Sequence, residues 1–258
     1  RLATDGSTGE LPLKGEETCI RINRGNFGSF YNEPVGEQMV GPSSAAFSPD
    51  GKTVYMTGYS WQQRNGTNSS SIMAVLKMNY EKNEPMSVFA GVKSDKEYGD
   101  DNKHFAVPTS VDVDKFGNVY VSDYVNNRIQ IFDANAKFLA TIKVNRPAKV
   151  LVHKITGVIY VFSYGLIGVP NDVVKSENYD MNKVERKFSV FSAFPDTKSI
   201  PMTDFPIDPI DSISRFCEGN SFQIALDSWS KNVAFWIVRR KFVQLAVDDA
   251  AGGRRGID

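Results

Sequence analysis

The sequence predicts an all-β fold, a β-propeller of five or six blades, and three observations carry that prediction. The first is the stretch from His104 to Ile142, in which apolar and polar residues alternate through SVDVD, NVYVSD, RIQIFD and KFLATI. Turn signals separate the four runs at Phe116-Gly117-Asn118, Asn126-Asn127 and Asp133-Ala134-Asn135, so the stretch reads as one four-stranded sheet. The second is a repeated frame. Pro42, Pro108 and Pro147 each open a segment with an apolar residue five positions on (Phe47, Val113, Val152), then a glycine (Gly51, Gly117, Gly157), then a tyrosine (Tyr55, Tyr120, Tyr160). The third is size: 258 residues with 41% hydrophobic and 12% aromatic content suffice for one large β core.

Each part of the frame has a physical reason. A proline before the first strand presets an extended backbone and asks for no ladder hydrogen bond. The glycine supplies positive φ in the turn between first and second strands. The tyrosine fills the space between neighbouring blades. Segments 44–90, 109–142 and 148–191 are therefore expected to form four-stranded sheets about one axis. A weaker copy, SFQIALDSWSKNVAFWIV, keeps two strands, with Asp227 in the slot of Asp114 and Ser48.

The organisation expected along the chain is an N-terminal lead at 1–16, a propeller at 17–250 and a tail at 251–258. Thr18–Asn23 and Phe242–Val247 suit half-buried strands and are expected to meet in a composite closing blade. Residues 59–71 read as a polar hairpin loop, and 91–103 as a charged connection between blades. Insertions at 165–187 and 193–216 are long enough for a lid or a binding rim. Arg1 at the start and the GGRRGID end suggest a piece of a longer chain.

Thirty basic against 30 acidic residues give zero net charge, which argues against nucleic acid as a partner, and no apolar run is long enough for membrane insertion. Cys19 and Cys217 leave two readings open, a ring-locking disulfide and two separate buried thiols. Asn65-Gly66-Thr67 and Asn68-Ser69-Ser70 fit the glycosylation pattern, and the expected location is secreted or periplasmic. No Gly-x-Ser-x-Gly elbow or phosphate loop is present.

The block Pro108–Phe138 resembles the NHL-repeat propellers, through Gly117-Asn118, Val121-Ser122-Asp123 and Asn126-Asn127-Arg128-Ile129-Gln130. The same blade is similar to the peptidylglycine amidating lyases, a resemblance that implies zinc-binding histidines directly after each opening proline. Ser43, Thr109 and Ala148 stand there instead, so zinc is not expected; His104 and His153 fall elsewhere, His153 in the turn-facing slot. A resemblance to gluconolactonase-like propellers implies calcium or another hard cation held by oxygen ligands, for which Asp112, Asp114, Asp123, Asn126 and Asp227 are candidates. Asp112 stands out: it is mid-strand, where the equivalent residues are Ala46 and Leu151, and Val111 and Val113 face the packed side. The candidate ligand-binding residues are Ser43, Thr109, Asp112 and Lys149, with Asp112 the metal ligand if a metal binds. The function expected is a scaffold binding a protein or carbohydrate ligand, with no required cofactor; the alternative is a metal-assisted lyase or lactonase acting in the channel.

Overall fold

The computed structural model describes residues 22–23, 26–27, 37–40, 44–58, 60–63, 69–71, 73–79, 81, 87–92, 94, 96–166, 169, 173, 180, 183–201, 223–228 and 233–238. In chain order the first strands are β1 (Ile22–Asn23), β2 (Asn26–Phe27) and β3 (Glu37–Val40). The first blade is an antiparallel meander of β4 (Ser44–Phe47), β5 (Thr53–Thr57), β8 (Ala74–Asn79) and β9 (Ser87–Gly91). Between its second and third strands, β6 (Ser60–Gln63) and β7 (Ser69–Ser71) form a hairpin that pairs with β3. The polar 59–71 segment is thus an extension with strands of its own.

The second blade joins β10 (Pro108–Val113), β11 (Val119–Asp123), β12 (Arg128–Phe132) and β13 (Phe138–Lys143). The third joins β14 (Pro147–Val152), β15 (Ile159–Ser163), β16 (Lys187–Phe191) and β17 (Ser199–Ile200). Here the expected boundary at 191 is too short. Residues 164–186 separate the second strand from the third, so the fourth strand falls at 199–200. A last described pair is β18 (Gln223–Asp227) with β19 (Ala234–Val238). No helix among the described residues is long and apolar enough to cross a membrane.

The first strands β4, β10, β14 and β18 pack successively against one another, which places them innermost and the sheets radially about one axis. Both faces of the middle strands of blades two and three are buried, whereas β4 of blade one alternates buried and exposed residues. Tyr55, Tyr120 and Tyr160 hold equivalent positions, each opposite the residue four after the opening proline (Ala46, Asp112, Leu151). Each reaches into the next interface: Tyr55 packs with Val111, Val113 and Phe132, Tyr120 with Val150 and Val152, and Tyr160 with Phe235 at 5.2 Å. Burial raises the pKa of all three phenols.

The blade openings share an irregularity. In β10 and β14 the register slips between Pro108 and Ser110 and between Pro147 and Lys149, which makes Thr109 and Ala148 the bulged residues. The residues before the two prolines, Val107 and Arg146, take φ of 61° and 42°. For a β-branched valine that is a strained backbone, held by its N–H on the Met73 sulfur and its carbonyl on the Tyr124 N–H.

The turn after each inner strand is capped by one polar slot. Ser48 Oγ accepts from Thr53 N–H, Asp114 Oδ1 from Phe116 and Asn118 N–H, and His153 Nδ1 from Ile155 and Thr156 N–H. The turn-facing role read for His153 from its place in the frame is what the fold uses it for. Cys19, Cys217, Asn65, Asn68 and the strand expected at 242–247 lie outside the described residues.

Candidate functional site

The inner strands present one recurrent pair of positions to the following blade, two and four residues after the opening proline. In the first blade these are Ser44 and Ala46, in the second Ser110 and Asp112, in the third Lys149 and Leu151. The serines act as staples. Ser44 Oγ accepts from Val111 N–H at 3.1 Å, and Ser110 Oγ from Val150 N–H at 3.2 Å. These inner-strand backbone groups have no ladder partner on the axis side, so a hydroxyl from the preceding blade satisfies them.

Asp112 extends the same device. Its Oδ2 accepts from Val152 N–H at 2.6 Å, and its Oδ1 accepts from Val113 N–H at 2.8 Å and from Lys154 Nζ at 2.6 Å. Lys154 also donates to the Val113 carbonyl. As expected, Val111 and Val113 pack on one side and Asp112 turns to the other. That other side is the next blade, because a propeller sheet shows the axis only its edge. Both oxygens are occupied by donors, one of them an ammonium, so this carboxylate does not fit a hard cation, which needs unprotonated oxygens in numbers.

The other acidic candidates are engaged as well. Asp114 Oδ2 accepts from Asn118 Nδ2 and the Tyr120 hydroxyl. Fully buried Asp123 accepts from Ala106 N–H at 2.7 Å, Asn126 Nδ2 at 2.8 Å and Arg128 Nε at 2.7 Å. Burial pushes its carboxyl up to about 6, against the opposing pull of those donors. Arg128 in turn donates to the carbonyls of Asp100, Asp101 and His104, and Asn126 to that of Gly99. His104 pairs with Asp101 at 2.9 Å, and Lys103 N–H and this imidazole lower the Asp101 carboxyl. Asp227 ends β18. Among the described residues no group of three or more His, Cys, Asp or Glu side chains is placed to hold a metal ion.

Of the candidate ligand-binding residues, Ser43 lies outside the described residues, and Thr109 at its bulge donates from Oγ1 to the Pro147 carbonyl at 3.2 Å. Lys149 differs from its frame equivalents. Its Nζ donates to Ser44 Oγ, two blades back, at 3.2 Å, and that oxygen lies 3.3 Å from Ser110 Oγ. Thus the structure brings Lys149 to Ser44, holds Thr109 at the adjacent blade opening, and sends Asp112 into the interface. Sequence reasoning missed Ser44, Ser110 and Lys154. The signal for the first two was the frame itself, which sets serine, serine and lysine at one position.

Two surface grooves lie away from the inner strands. One of about 530 Å³ runs between the first turns of blades one and two, lined by Asp50, Tyr55, Lys77 and Phe116. The other, of about 580 Å³, sits beside Asn126, Arg128 and Lys143.

Radial four-stranded meanders with side-by-side inner strands define this chain as a β-propeller. Within it, residues 105–132, which span the first three strands of the second blade, match the NHL repeat. A comparison with curated protein sequences finds no match. Among solved structures, a gluconolactonase from Xanthomonas campestris is 18% identical with a TM-score of 0.32, covering 46% of this chain and 33% of its own. The calcium-binding protein regucalcin from Agrobacterium tumefaciens is 14% identical with a TM-score of 0.33, covering 56% and 43%. The hydrazine synthase of Kuenenia stuttgartiensis is 14% identical with a TM-score of 0.41, covering 77% and 46%. The chain spans between a third and a half of the length of these three proteins.

Proposed function

We propose that this chain is a propeller binding module that recognises a protein or carbohydrate ligand at the axial end of its inner strands, without metal-assisted chemistry. The observation that supports this reading is Asp112. Its carboxylate is consumed by Val152 N–H, Val113 N–H and Lys154, so the most prominent acid of the inner strands serves blade docking. Thr109 and Ala148, at the bulged positions, offer a hydroxyl and a methyl group where imidazoles would be needed to bind zinc. The zero net charge supports a ligand other than nucleic acid. The paired acceptor patterns at Asn65 and Asn68 support an extracytoplasmic location.

The test is an oligosaccharide and protein-ligand binding screen on the whole chain, with each hit repeated after exhaustive chelation and after calcium addition. Binding that survives chelation with unchanged affinity is expected. Stoichiometric calcium on the inner strands, or turnover of a sugar lactone that chelation abolishes, would overturn the reading in favour of the metal-assisted lyase or lactonase.

A further inference from the structure

Three frame-equivalent residues from three consecutive blades, Ser44, Ser110 and Lys149, meet within hydrogen-bonding range. Residues of the first and third blades touch across the second only on the axis side of the inner strands. Lys149 therefore projects across the ring's interior, and no carboxylate lies within 4.0 Å of its Nζ among the described residues. Lys154 a few residues on has Asp112; Lys149 has one serine hydroxyl. An ammonium carries three donors, and the described residues use one of them.

Lys149 is partly buried, and a partly desolvated ammonium with unused donors gains from an anion that shares its site. Burial lowers the pKa of Lys149, and the more distant charge of Asp112 only partly opposes it. From the meeting of Lys149, Ser44 and Ser110 at the axis, we propose a binding site for a small organic carboxylate, with the Lys149 ammonium as its charge partner and the Thr109 bulge at its rim. A planar carboxylate can accept the two remaining donors of that ammonium side by side. The proposal deepens the binding-module reading by naming the charge class of the ligand.

Thermal unfolding of the whole chain against sodium acetate, with sodium chloride at matched ionic strength and inorganic phosphate as parallel arms, reads the site directly. A saturable rise in Tm with acetate, absent with chloride, is expected, weakened at least about tenfold in Lys149→Met and kept in Lys149→Arg. Lys143→Met, on the exposed end of β13, serves as the control for general charge and should match the unaltered chain. A response to phosphate but not acetate, a response retained in Lys149→Met, or no saturable response would each overturn the proposal. Should Lys149→Met fail to fold, Lys149→Gln measured by acetate calorimetry gives the same decision. Metal-independent binding of a neutral oligosaccharide with unchanged affinity in Lys149→Met would leave the binding-module reading standing while this one falls.

Discussion

Blades two and three share their inner-strand frame, their bulges and their tyrosine, yet they hold their chain ends differently. At the end of the second strand blade two carries Asp123 opposite Arg128, where blade three carries Ser163 opposite Lys187. The reason lies in what precedes each blade. Residues 92–107 connect blade one to blade two, whereas only 144–146 connect blade two to blade three. A long connection has many backbone carbonyls to satisfy and much chain entropy to lose, so Asp123, Asn126 and Arg128 gather Gly99, Asp100, Asp101, His104 and Ala106 into one clamp. The short connection is held mainly through its own backbone: the Ser163 hydroxyl donates to the Asn145 carbonyl at 2.6 Å, and the Val144 and Arg146 N–H groups donate to the carbonyl and side-chain oxygens of Asn127. Asp123, Asn126 and Arg128, which fall within the stretch that matches the NHL repeat, thus fasten a long loop, and blade three, with a shorter path before it, carries Ser163 and Lys187 at two of these positions.

The sharpest way to break this comparison is to remove the clamp. Asp123→Ala leaves the Arg128 guanidinium and the Ala106 N–H buried without their acceptor, and should cost about 3–5 kcal/mol in urea unfolding. Ser163→Ala, the matching change in blade three, should cost about 1 kcal/mol. Equal losses would show that the two ends are held alike. Next in size is Asp112→Ala, which strands Val152 N–H and Lys154 between these same blades. It should cost about 2–4 kcal/mol, with double-mutant coupling to Lys154→Met.

Acidity sharpens the contrast further. The Asp123 carboxyl titrates near 6 in the folded chain and near 3.9 when unfolded, so the folded state binds the proton more tightly. Its contribution is fully present below about pH 4 and is lost as pH rises through 6, on the order of 2–3 kcal/mol. Stability of the unaltered chain relative to Asp123→Asn should accordingly fall between about pH 4 and pH 6 and level off above about pH 7. The difference between the unaltered chain and Ser163→Ala should stay flat, and a flat Asp123 difference would show that Arg128 offsets the burial. The smallest effect belongs to Ala136, which takes φ of 65° in the last turn of blade two. Ala136→Gly should stabilise by up to about 1 kcal/mol, seen as a modest rise in Tm.

Much of this was legible in the sequence. Period-two alternation with glycine turns fixed the strands of blade two, and the proline frame placed Tyr55, Tyr120 and Tyr160 correctly because backbone pairing enforces that frame. The fourth strand of blade three was not legible, since Ser199 and Ile200 form too short a run to carry alternation. The partner of Asp112 was hidden for a different reason. Lys154 lies in the next repeat, and alternation gives the side of a strand on which a residue falls without saying what stands there. Lys149 and Ser44 are 105 residues apart, and only the closure of successive blades about an axis brings them together.

The bulges at Thr109 and Ala148 carry a consequence for how such a protein diversifies. Exchanging a bulged residue shifts no register, so what constrains these two positions is local: Ala148 is buried in the core, and the half-buried Thr109 holds the Pro147 carbonyl. At position 148 a side chain larger than methyl must displace core neighbours, whereas position 109 has solvent on one side. The two openings are thus unequal places for change, the polar one at Thr109 freer than the apolar one at Ala148.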